Sequence, residues 1–149
     1  MNMMRTAVMV AVLVLAVGAA DARASCSVSA TSTDFGTYDV FSAVPNDSTG
    51  MITLTCTKKE KNIRITLDRG RQGSFDRAFH SGTDELHYNL YLNATRSAIW
   101  GDGTAGTVDF HGEAGKNDVI RIPVYGRIPA GQDARVGAYR DDVIVTVLY

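Results

Sequence analysis

Beyond residue 24 the chain sets apolar against polar residues at every second position, a spacing that predicts strands rather than helices. From Met51 to Thr57, Ile52, Leu54 and Cys56 share one face, while Met51, Thr53, Thr55 and Thr57 share the other. From Asn62 to Asp68, Ile63, Ile65 and Leu67 alternate with Arg64, Thr66 and Asp68. Leu86 to Asn93 and Val119 to Ile128 read as two more strands, and Ser27 to Thr33 as a short polar one. The strongest is the last, Tyr139 to Tyr149. Val143, Val145, Val147 and Tyr149 recur at every second position among β-branched neighbours. An unpaired outer edge on such a strand is a template for another chain.

Turn residues separate these runs. Pro45 to Gly50, Asp68 to Ser74, Trp100 to Gly106 and Ala130 to Asp133 are rich in Gly, Asp, Asn and Ser and are expected to be loops. Residues 69–85 are expected to form a long, mobile loop. Several short strands broken by frequent turns predict an all-β sandwich. No repeat or linker divides it, so one domain is expected over residues 25–149.

The first 24 residues have a different pattern. Arg5 precedes an unbroken run of Ala, Val, Met and Leu from Ala7 to Ala16, and Ala22-Arg23-Ala24 fits a small-x-small cleavage site. This is the layout of a signal peptide, residues 1–24, with the mature chain starting at Ser25. The apolar stretch from Thr6 to Ala20 falls short of the roughly 20 residues that span a bilayer, so no integral membrane segment is expected after cleavage. Arg23 stands where a lipoprotein signal ahead of Cys26 would want Leu.

Charge adds little. The full chain carries a net −1, and loss of Arg5, Arg23 and Asp21 takes it to −2. That balance favours neither nucleic acid nor an anionic membrane as a partner. Cys26 and Cys56 are the two cysteines, both in the exported part. In an oxidising compartment they are expected to form one disulfide, tying the start of the mature chain to the second strand.

Candidate chemistry is sparse. His80, His87 and His111 are scattered, without metal-ligand spacing. No Gly-x-Ser-x-Gly elbow occurs. Asp102-Gly103 opens like a calcium loop, but Thr104, Ala105 and Gly106 follow where ligands belong. Arg64, Arg69, Arg71 and Arg77 make a locally basic segment, read as a solvated loop. Trp100, beside the Gly-rich turn, is a candidate surface contact for a sugar; the alternative is a core aromatic capping the sandwich. No residue set supports an enzyme, and no cofactor is expected.

Several blocks resemble one family in order along residues 26–149. Phe35-Gly36-Thr37-Tyr38-Asp39, after an early Cys, resembles the FGTYD signature of spore coat protein U domains. Asp47-Ser48-Thr49-Gly50 leads into a strand ending at Cys56, as in that family. Leu86 to Tyr91, Ile99 to Gly103, Val124 to Gln132, and Gly137 to Asp141 with the valines that follow are similar to its remaining blocks.

The family also includes subunits of archaic chaperone–usher pili. The resemblance implies an incomplete immunoglobulin-like β-sandwich that lacks its final strand and is completed by a donor strand from a chaperone or a neighbouring subunit. It implies a secreted structural protein of a pilus or spore-coat type, exported through the periplasm to the cell surface. Its partners would be a periplasmic chaperone, an outer-membrane usher and other subunits. Val143, Val145, Val147 and Tyr149 are then expected to line the acceptor groove. Pilus subunits carry a donor segment before the first Cys, whereas Ala20 to Ser25 include Asp21 and Arg23 and lack alternating apolar residues. A minor or terminal subunit is therefore expected, with a terminal adhesin on carbohydrate or abiotic surfaces as the alternative.

Overall fold

The computed structural model describes residues 6–16 and 25–149. Arg5 and the Ala22-Arg23-Ala24 site lie outside the described residues. Ten strands follow in chain order: β1 (Thr6–Ala16), β2 (Cys26–Thr31), β3 (Asp34–Tyr38), β4 (Asn46–Cys56) and β5 (Glu60–Leu67). Then come β6 (Arg77–Ser81), β7 (Asp84–Tyr91), β8 (Phe110–Ala114), β9 (Asp118–Ile128) and β10 (Ala138–Leu148). No helix occurs among the described residues. The all-β expectation holds.

The strands join in the order β2-β4-β9-β7-β6-β10-β1-β3, with β5 also on β10 and β8 on β5. All pairings are antiparallel except that of β1 with β10. β7 turns the sheet over: Asp84 to Tyr88 pair with β6, and Asn89 to Tyr91 pair with β9. The two halves thus bring their apolar faces together. Ile52 and Leu54 of β4, Ile122 and Val124 of β9, Ile63, Ile65 and Leu67 of β5, and Val143, Val145 and Val147 of β10 are all buried. Those of β4, β5 and β10 are residues whose period-two spacing marked them as one face. Phe79 stacks on Tyr88 with ring centroids 3.7 Å apart, and Phe35 meets both rings edge-on.

Three expectations need correction. Residues 46–50 are not a loop: they extend β4, paired with β9 from Asn46 opposite Ile128 to Gly50 opposite Val124. Backbone ladder bonds there outweigh the turn preference of Asn, Asp, Ser and Gly. Residues 69–85 are not one long loop, because Arg77–Ser81 form β6 and Phe75, Ala78 and Phe79 are buried. Arg77 is not solvated. Its guanidinium is buried and donates to the Asp68 carbonyl (3.0 and 2.6 Å), the Trp100 carbonyl (2.8 Å) and Asn89 Oδ1 (2.8 Å). Four such bonds and the Phe75 ring, 5.3 Å from its carbon, satisfy a charge that would be costly to bury alone. Burial still lowers its pKa from the usual arginine value.

Candidate functional site

The site is a slot one strand wide between β10 and β3. One edge of β10 is closed by the body of the protein. β5 pairs with it from Arg64 opposite Leu148 to Leu67 opposite Val145, and β6 touches it where Arg140 faces His80. The other edge pairs only with β1, in parallel, from Ala7 opposite Ala138 to Ala16 opposite Val147 without a break. β3 takes the far side of β1, antiparallel, from Thr6 opposite Tyr38 to Met9 opposite Asp34. No ladder joins β3 to β10 directly.

The two walls are held by different means. β10 is fixed through buried polar groups at its start. Asp141 is buried and accepts from the Tyr88 hydroxyl (2.7 Å), the Arg71 N–H (2.8 Å) and the Asp142 N–H (2.9 Å). Asp68 accepts from the Ile144 N–H at 2.9 Å and donates its own N–H to the Ile144 carbonyl at 3.1 Å. Gly70 permits this approach: its φ is +63°, and a Cβ there would lie 2.2 Å from the Asp141 carboxylate. Beyond Asp141, Val143 and Val145 face Ile52, Leu90 and Val124 of the opposite half across a narrow apolar gap.

β3 hangs from the opposite half by side chains. The Tyr38 hydroxyl donates to the Pro129 carbonyl (2.9 Å) and accepts from the Gln132 N–H (3.0 Å). Asn46 donates to the Phe35 carbonyl at 2.9 Å, and the Ser48 hydroxyl donates to the Asp34 carbonyl. The Phe35 ring lies over Gly126, where a Cβ would come within 2.4 Å of the ring. Gln132 in turn is clamped to the backbone of His87 by two 2.8 Å bonds. The FGTYD and Val124-to-Gln132 blocks therefore work together: one supplies the wall and the other its mount.

Each expected site residue can now be placed. Cys26 and Cys56 are joined by a disulfide, at paired positions of β2 and β4. Val143, Val145 and Val147 are buried on the inner face of β10. Tyr149 does not share that face. It lies past the end of β10, 41% exposed, with its hydroxyl 3.4 Å from the Cys26 carbonyl. Alternation stops where ladder pairing stops. Trp100 is not a surface contact: it is fully buried, and its Nε1–H donates to the Ile65 carbonyl at 3.0 Å. The Gly-rich turn is tied back beside it: Trp100 forms an isolated parallel bridge with Val108, and its backbone N–H donates to the Leu90 carbonyl at 2.9 Å. The β3 wall, Asp141 and Gln132 lie in blocks that carried the family resemblance, but the alternation pattern gave them no role, since single polar residues in or beside a strand look like its solvent face. Among the described residues, no group of three His, Cys, Asp or Glu side chains is placed to hold a metal ion. No helix of the described residues is long and apolar enough to cross a membrane.

The described residues form an all-β fold with a disulfide between β2 and β4 and with β1 paired between β10 and β3. The chain belongs to the Spore Coat Protein U domain family, whose pattern matches residues 11–146. It is 31% identical over 130 residues to Protein U of Myxococcus xanthus, covering 78% of this chain and 70% of that protein. Its fold is similar to a solved chain from the CsuC–CsuE chaperone–tip adhesion subunit pre-assembly complex of the archaic chaperone–usher Csu pili of Acinetobacter baumannii. The TM-score is 0.56 at 20% identity, over 83% of this chain and 39% of that one.

Proposed function

We propose that this protein is an exported structural subunit of a pilus or coat, and that it works by accepting a β-strand between β10 and β3. The observation that carries the reading is β1. An apolar strand seats between two strands that have no direct ladder with each other, and it pairs with both. Without an occupant, β10 would present an open edge above buried valines, and β3 would have no ladder partner among the described residues. A donor strand supplies main-chain bonds to both walls and fills the apolar gap. The chaperone–subunit complex of similar fold makes a periplasmic chaperone the first donor to test, followed by an usher and sibling subunits at the cell surface. Cleavage before Ser25 would leave only Ser25 ahead of Cys26, which suits a receiving, minor or terminal place. The adhesin reading keeps no support from Trp100, which is buried.

The test is periplasmic production of the chain with and without a cognate pilus chaperone. Soluble protein in a one-to-one complex with the chaperone is expected, with a steep fall in yield when the chaperone is omitted. Equal yield of stable, monomeric processed protein in both cases would overturn the reading.

A further inference from the structure

The occupant of the slot is part of this chain, and it comes from the apolar run read as the leader. Its fit is specific in three respects. The pairing with β10 runs unbroken from Ala7 to Ala16, nearly the whole length of that strand. The same segment pairs with β3 on its other edge, so one strand closes both walls. The register also matches composition to burial. Val8, Val10, Val12, Val14 and Ala16 stand opposite Tyr139, Asp141, Val143, Val145 and Val147, and these five residues of β10 are buried. Thr6 to Ala16 contains no charged residue that the slot would have to desolvate. A slip of one residue would place Met9, Leu13 and Leu15 at those positions instead, so the register is a definite, checkable feature.

We propose that in the precursor the segment Thr6–Ala16 is the first occupant of the acceptor slot, seated parallel to β10, and that removal of the leader opens the slot to a strand from another chain. This rests on the strand-accepting reading above. The tether makes the leader a strong competitor, because a linked strand acts at high effective concentration. Residues 17–25 are all that separate β1 from β2. Cleavage before Ser25 removes that advantage entirely. Processing thereby becomes the step that makes the subunit competent to receive a donor, and an unprocessed subunit is closed to assembly.

The experiment uses the full-length chain, produced without export in an oxidising cytoplasm. Val12→Cys combined with Val143→Cys is expected to yield an intramolecular disulfide between these two positions, mapped by peptide mass spectrometry. Leu13→Cys with Val143→Cys, one position out of register, is expected to link at least tenfold less. In the chain with native residues, amide exchange at β3 and at Val143 to Leu148 is expected to be slow. Val12→Asp with Val14→Asp is expected to speed it at least tenfold while leaving the β4–β9 ladder unchanged. The third arm offers the periplasmic chaperone to both full-length forms, and only the double Asp variant is expected to bind it. Linking equally in both registers, or in neither, together with chaperone binding to both forms, overturns this inference and leaves the strand-accepting reading intact. Chaperone binding to neither form, with unchanged exchange at β3 and β10, overturns both.

Discussion

The Tyr88 hydroxyl donates a 2.7 Å hydrogen bond to the Asp141 carboxylate, with both side chains buried. Tyr88 belongs to the strand that carries the sheet from one half to the other, and Asp141 to the wall of the slot. The bond therefore fixes β10 to the centre of the fold. Tyr88→Phe keeps the ring stack on Phe79 but leaves Asp141 with its two backbone donors alone. A loss of about 1–3 kcal/mol is expected in urea titrations, the cost of an under-satisfied buried acceptor.

The same bond predicts an alkaline effect. Burial first, and then the neighbouring Asp141 charge, push the Tyr88 phenol well above its ordinary pKa. A raised folded-state value means the folded protein keeps a proton that the unfolded chain releases. The corresponding stability is fully present below a pH of about 10, the value for an unperturbed tyrosine, and is lost as pH rises beyond it. Tyr88→Phe is expected to make the decline above that pH shallower. It should not abolish it, because burial also raises Tyr91 and Tyr139. Unfolding midpoints of both proteins between neutral and strongly alkaline pH provide the check.

Trp100 predicts a folding defect rather than a binding defect. Its ring lies inside, and its N–H holds the Ile65 carbonyl on β5, the strand beside β10. Trp100→Ala is expected to cost about 3–5 kcal/mol through cavity and lost contacts. Trp100→Phe, which loses the hydrogen bond but keeps much of the ring, is expected to cost less. Any loss of surface attachment in these variants should scale with the unfolded fraction measured by circular dichroism. A fully folded Trp100→Ala protein with selective loss of attachment would contradict this placement.

The sequence made the inner faces legible where alternation was strict. Ile52, Leu54 and Cys56, Ile63, Ile65 and Leu67, and Val143, Val145 and Val147 are the core residues that period two selects. It failed where a buried position carries a polar residue. Arg77 looked solvated because burying a guanidinium is costly, and only four acceptor contacts scattered along the chain at 68, 89 and 100 make it tolerable. β3 was also hidden: five residues with one glycine carry little strand signal, and its ladder partner lies in the apolar run near the N-terminus. Family resemblance pointed to β10, but only tertiary pairing showed that β3 stands across β1 from it.

The disulfide joins residues opposite each other at the start of β2 and the end of β4, where the Thr57 N–H also donates to the Ser25 carbonyl at 2.7 Å. It closes a loop with a sequence separation of 30 that includes the whole of β3. Replacing both cysteines by serine is expected to destabilise the protein by roughly 3–4 kcal/mol on the chain-entropy account, a fall in thermal midpoint on the order of 10–20 °C. Treating the native protein with a reductant should reproduce most of that fall, and calorimetry with and without it tests the point.

Tyr38 predicts a local effect. Its hydroxyl makes two bonds, to Pro129 and Gln132, that hold β3 against the other half without any ladder to it. Tyr38→Phe keeps the buried ring and removes both bonds. About 1–2 kcal/mol is at stake, and it falls on opening β3 rather than on unfolding the whole domain. Amides in Asp34–Tyr38 are expected to exchange roughly tenfold faster or more, since each 1.4 kcal/mol is a factor of ten in an opening equilibrium. The amides of β4 paired to β9 should keep their native rates, because those bonds do not depend on β3. On the proposed strand-accepting reading, a donor strand bonds to this wall as well as to β10, so its dissociation should quicken in the same variant while the register against β10 stays unchanged. Exchange that rises equally in β3 and β9 would show that Tyr38 supports the whole fold and not the slot wall.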